Sequence, residues 1–112
     1  MAAGTYDIII DQGSDFALQV QVEQEGSYVA LSSHTARAQL RPTPTSNTLT
    51  ATFTCTITDA ANGILKLDLT NATTANIAAG KYYYDLELVN TSSNTVSRLL
   101  QGVARVTPEV TR

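Results

Sequence analysis

Side chains able to do chemistry are few in this sequence. It holds one His, one Cys and no Trp. A base, a nucleophile or a metal ligand works only where other groups converge on it. His34 stands between Ser33 and Thr35 in no recognisable motif, and a surface or loop position is expected for it. Cys55 falls on the apolar side of an alternating segment, which points to a buried, inert thiol. Asp85 and Glu87 are two positions apart, so on a strand both carboxylates share one face. Such a pair could exchange protons with a substrate or hold a calcium ion. The preferred reading is a solvated or ion-paired couple beside Arg98 on the next strand. A zinc site takes about four Cys, His or carboxylate ligands, and this inventory supplies no usual set. No catalytic residue, cofactor or metal site is therefore expected.

The elements that must carry these residues alternate with a period of two. Phe16, Leu18, Val20 and Val22 interleave with Ala17, Gln19, Gln21 and Glu23, the mark of a strand with one buried face. Residues 35–41 repeat it, with Ala36, Ala38 and Leu40 against Arg37, Gln39 and Arg41, until Pro42 and Pro44 stop the ladder. From 48 to 58, Thr fills every even position and Leu49, Ala51, Phe53, Cys55 and Ile57 the odd ones. Asn62-Gly63 suits a hairpin turn, and residues 64–69 return. Residues 71–79 hold the one candidate helical turn. Strands are predicted at 6–10, 82–89 and 95–106 as well, with a short apolar stretch at 28–31. If Glu87 faces Arg98 while Leu100 points inward, a bulge at Leu99-Leu100 must reconcile the two.

Seven to eight short strands with turn signals every 8–12 residues predict one all-β domain, a single antiparallel β-sandwich with short terminal arms. No amphipathic crossover helix suggests a βαβ unit. The chain has 112 residues, starts at Met1 and reads as a whole small protein. Its net charge is -3 with no run of Lys or Arg, so neither nucleic acid nor an anionic membrane is an expected partner. Residues 1–5 lack the basic start and apolar core of a signal peptide, so synthesis in a cytoplasm is expected. One Cys excludes an intramolecular disulfide. The threonine comb resembles ice-binding arrays only in part, because Lys66 and Asp68, or Arg37 and Gln39, interrupt it on other strands. The sequons at Asn71 and Asn90 are read as turn residues.

The last third carries a more specific pattern. Gly80-Lys81-Tyr82-Tyr83-Tyr84-Asp85-Leu86-Glu87-Leu88-Val89 is followed by Arg98-Leu99-Leu100-Gln101-Gly102 and by Thr107-Pro108-Glu109-Val110-Thr111-Arg112. Tyr6-Asp7-Ile8, Gln12-Gly13-Ser14-Asp15-Phe16, residues 31–41 and Gly63-Ile64-Leu65-Lys66-Leu67 extend it over nearly the whole chain. This resembles a family of small structural proteins of tailed bacteriophages, with the patterns G-x-Y-x-Y-D-L-E-L-V, R-L-L-x-G and S/T-P-E-V-T-R. Ser33-His34 departs from the family's usual Gly-Tyr, and an aromatic common near residues 20–22 is absent.

The resemblance implies an immunoglobulin-like sandwich, similar to the N-terminal domains of phage baseplate upper proteins. It implies a non-enzymatic structural or adaptor component of the tail, baseplate, fibre-attachment or neck region, placed in the virion after assembly in the host cytoplasm. The partners implied are other phage structural proteins, in a homo- or hetero-oligomer. A capsid-surface decoration protein or a carbohydrate- or receptor-binding module is the alternative. Expected interface residues are Tyr83 on the last hairpin, Asn90 and Ser92 in its loop, and Pro108, Glu109, Val110 and Arg112 in the C-terminal arm. The 42–47 loop and residues 2–6 are expected to join them, with Val89 and Leu99 or Leu100 exposed beside Tyr83.

Overall fold

The computed structural model describes residues 3–24 and 26–111. Of these, 58% are strand and 5% helix, so the chain is all-β. In chain order the strands are β1 (Gly4–Thr5), β2 (Ile8–Asp11), β3 (Phe16–Gln21), β4 (Glu23–Gln24) and β5 (Ser27–Tyr28), then β6 (His34–Arg41), β7 (Ala51–Asp59) and β8 (Ile64–Leu69). A single-turn helix, α1 (Asn71–Ala75), precedes β9 (Gly80–Asn90) and β10 (Thr95–Thr107).

Eight strands form one sheet in the order β1-β10-β9-β6-β7-β8-β3, with β2 also on β10; β4 and β5 make a separate small hairpin. The sheet curls because β7 changes partner along its length. Ala51 and Phe53 pair with β6, whereas Thr54 to Asp59 pair with β8. Inward side chains from both halves then meet in one core, including Leu40, Phe53, Leu65, Leu67, Leu86 and Val106. Phe53 stands edge-on to both Phe16 and Tyr84, at 6.0 and 6.2 Å between ring centres.

The sheet is mixed, which corrects the expectation of a wholly antiparallel one. β1 and β2 both run parallel to β10. Residues 4–11 thus lie on the chain's own last strand, and Gly4–Thr5 is no free arm. The kink at Tyr6-Asp7 between the two short strands is held by its own bonds. Tyr6 N–H donates to Gln101 O at 3.0 Å, and Val103 N–H donates to Asp7 Oδ1 at 3.0 Å. The Tyr84 hydroxyl crosses over Gly102 and donates to Tyr6 O. Burial first, then the charges of Asp7 and Tyr6, push that phenol up to about 12, so it stays a donor.

The β10 bulge falls where the residue pattern requires it. Arg98 pairs with Glu87 and Leu100 with Leu86, leaving Leu99 as the extra residue. Leu99 is buried and Leu100 half-buried, which corrects the expectation that one of the two is exposed.

The turn after β2 is tied to α1. Thr74, fully buried, accepts from Gly13 N–H and donates to Ser14 O. Thr70 caps the helix, and Asp15 Oδ1 accepts from Asn71 N–H at 2.7 Å.

A methyl group at Gly102 would stand 2.3 Å from the Tyr6 carbonyl oxygen. Gly102→Ala should therefore dislodge residues 4–11 from β10 and cost about 1–3 kcal/mol of stability. A lowered urea midpoint, with faster amide exchange at Ile8 to Ile10, checks this; an unchanged midpoint and exchange pattern contradicts it.

Candidate interaction face

The outward face of β6, β9 and β10 is a three-by-three grid of side chains, because β9 lies between the other two, in unbroken register with β6 and in register with β10 on either side of the Leu99 bulge. One row is Arg41, Tyr83 and Val103; the next Gln39, Asp85 and Gln101; the third Arg37, Glu87 and Arg98. Alternation along β6 and β9, and along β10 on either side of its bulge, turns these nine residues away from the core. Thr5 of β1, Asp7 of the kink and Pro44 from the 42–47 loop border the grid, and with its residues other than Arg37 they outline a groove of about 500 Å³.

Two of the three guanidiniums on the grid lie against carboxylates. Arg37 Nε lies 2.7 Å from Glu87 Oε1. Arg98 sits opposite Glu87 in register but leans the other way, with Nε 3.5 Å from Asp85 Oδ2 and a hydrogen bond to Gln101 Oε1 at 3.1 Å. Arg41 donates to Gln39 Oε1 at 2.9 Å and to Ser46 O at 3.3 Å. Lys81 places its Nζ 5.4 Å from the centre of the Tyr83 ring. The Asp85 carboxyl is held above its ordinary value, mainly by burial and then by Glu87, while Arg98, Arg37 and Arg41 pull it back. Three guanidiniums against two carboxylates, with a tyrosine ring at one end, suit contact with a polar or charged macromolecular surface. Among the described residues no group of three His, Cys, Asp or Glu could hold a metal ion.

The expected interface residues do not form one patch. Tyr83 is half-buried on the grid. Asn90 and Ser92 lie at the β9–β10 tip, where Asn90 Oδ1 accepts from the N–H groups of Ser92 and Ser93. Pro108, Glu109 and Val110 follow the other end of β10, about 40 Å away at the usual rise of a strand. Pro108 is exposed, Val110 is 91% exposed, and Glu109 N–H donates to Gln12 Oε1 at 3.0 Å. Arg112 and Ala2 lie outside the described residues. The 42–47 loop sits at the Tyr83 end, and the Ser32-Ser33 turn touches the far tip through Thr91, which donates to Ser33 O. Val89 is half-buried.

Sequence reasoning placed Asp85, Glu87 and Arg98 together but missed Arg37, Gln39 and Arg41 as their neighbours. Alternation showed that all of them point outward. It carried no sign that β6 lies beside β9, a pairing between strands about 50 residues apart.

His34 Nδ1 lies 2.8 Å from Ser32 O, away from the grid. Cys55 is half-buried on the inward side of β7, and burial, followed by Asp68, pushes its thiol up to about 11.

No family model matches the sequence, and no curated protein matches it. Among solved structures, a family 123 glycoside hydrolase from Clostridium perfringens, described for glycolipid glycan hydrolysis, is similar at 13% identity with a TM-score of 0.43. The match covers 97% of this chain and 24% of that one. The chain thus spans a small part of that enzyme, and a likeness of this degree carries nothing about activity.

Two outcomes follow from the charges. A carboxyl whose pKa is raised by folding contributes most stability below its unfolded pKa and loses it as pH rises through the folded value. Asp85→Asn should therefore gain stability over the wild type between about pH 3 and about pH 7, read from urea midpoints at both; a constant difference contradicts this. With its pKa at about 11, Cys55 should react with a thiol reagent at neutral pH far more slowly in the folded chain than in urea. Equal rates contradict that.

Proposed function

We propose that this chain is a non-enzymatic structural or adaptor component of a tailed-phage particle, working through protein–protein contacts. One observation carries the reading. Three of the segments that resemble the phage family meet at a single point. Tyr6-Asp7-Ile8 lies across Gly102 of the Arg98-Leu99-Leu100-Gln101-Gly102 segment, and Tyr84 of the β9 segment donates to Tyr6 O. The arginine of R-L-L-x-G faces outward, its first leucine is the buried bulge, and its glycine admits the N-terminal strand. A pattern whose separated parts serve one contact supports a shared fold more strongly than scattered identities do. We read the curled sheet as an immunoglobulin-like sandwich in which β7 passes from one layer to the other.

In this reading the contacts with neighbouring subunits come from the β9–β10 tip with Asn90 and Ser92, the Tyr83 grid, and the C-terminal arm with Pro108, Glu109 and Val110. These lie at the two ends and on one face of the sheet. A short protein engaged on several sides suits an adaptor held between other subunits. The chain is expected in the virion after assembly in the bacterial cytoplasm.

The test is to purify particles by density gradient from cells producing them with the full-length chain or with residues 108–112 removed. The full-length chain should co-sediment with tailed particles. The truncated chain should keep its strand-type circular-dichroism spectrum but be missing from them, since Pro108 and Val110 are exposed and lie outside the core. A full-length chain absent from the particles overturns the function, and normal incorporation of the truncated chain overturns the role of the arm.

A further inference from the structure

The ends of the sheet are guarded unequally. An open edge strand offers unpaired N–H and C=O groups to other chains, and proteins normally shield it with charge, proline, bulges or brevity. On the β10 side the edge strands are two and four residues long and broken by the Tyr6-Asp7 kink. The exposed start of β10 carries Arg98 and the Leu99 bulge. At the other end lies β3, Phe16–Gln21, with no described strand on its second side. Its six residues include no charge, no proline and no bulge, and its register with β8 is unbroken.

One step past the ladder, Val22 N–H donates to Gly63 O at 2.7 Å, and Val22 O accepts from Val29 N–H. Alternation then turns the N–H and C=O of Phe16, Leu18 and Val20 toward β8. Those of Ala17, Gln19 and Gln21 point to the open side. Val29 is hydrogen-bonded to Val22 on the β8 side, and among the described residues no strand lies on the open side. Phe16, Leu18 and Val20 are only half-buried, although they face the core.

We propose that β3 pairs with β3 of a second copy of this chain, antiparallel about a two-fold axis at Leu18. A two-fold perpendicular to the sheet keeps inward residues inward. Leu18 then meets Leu18 of the other copy, and Phe16 meets Val20, so the three half-covered apolar side chains are covered together. Ala17 and Gln19 oppose each other twice on the outer face, in the rows whose backbone groups are open. No like charges meet within the strand, and the six-residue segment is self-complementary in this register. The pairing is independent of the phage reading, because it rests on the edge alone. Its contact is small beside a standard interface of about 1,600 Å², so the free dimer is weak and is favoured where many copies are held close.

Sedimentation velocity from about 10 µM to about 1 mM, a range suited to weak pairing, tests it with two variants at exposed positions. In A17K/Q19K each introduced lysine faces an introduced lysine of the other copy. This variant should stay monomeric throughout, with an unchanged circular-dichroism spectrum. In A17K/Q19E the same positions attract across the axis. Within the chain, the new lysine also faces Asp68 and the new glutamate faces Lys66. That variant should dimerise at least about tenfold more tightly than the wild type, which itself should dimerise within the range. Either a wild-type chain monomeric at the highest concentration, its edge then reserved for a strand of another protein, or a dimer indifferent to both variants would overturn the proposal.

Discussion

Residues 4–11 can lie on β10 only because position 102 has no side chain. The Tyr6 carbonyl occupies the space a Cβ would take, and Tyr84 reaches over the glycine to hold that carbonyl. Much of the molecule depends on this approach. It brings Ile8 and Ile10 into the core beside Ala104 and Val106, their register partners. It places Thr5 and Asp7 along the groove of the outer face. It also covers much of the outer side of the longest strand, which would otherwise be an edge of 13 residues.

The contrast with β3 follows from the same economy of chain. The N-terminal segment is spent on β10, and the turn at residues 12–15 leads directly into β3, whose other flank is β8. The fold is thus closed along one margin and open along the other. The grid of Arg37, Arg41, Arg98, Asp85 and Glu87 adds a face whose charges are largely satisfied within the chain. Such a surface favours selective contact over indiscriminate stickiness, because a partner must match an arrangement already in place.

Much of this architecture was legible from residue order. β8 falls where alternation puts it, and β3, β6, β7, β9 and β10 differ from it only at their ends. The bulge at Leu99 followed from the conflict between an outward Arg98 and an inward Leu100. The parallel N-terminal strands were not legible. Local alternation is the same for parallel and antiparallel pairing, and the partner lies almost a whole chain length away. The Ala51 start of β7 was also hidden. Alternation begins at residue 48, but Leu49 is 46% exposed because the chain is still leaving the 42–47 loop. Of the candidate face, the β9 and β10 columns were readable and the β6 column was not, since cross-strand order is a property of topology.

The claim that one margin is sealed and the other open is tested most directly by residue-resolved amide hydrogen exchange at low and high protein concentration. In the dilute chain, Leu18 and Val20 should be protected by β8, and Ile10 should be protected in the core, while Ala17, Gln19 and Gln21 exchange fast. At high concentration the Ala17 and Gln19 amides should slow and the others stay as they were. Alternate protection along β3 absent at every concentration, or fast exchange at Ala17 and Gln19 that concentration never slows, would contradict the account.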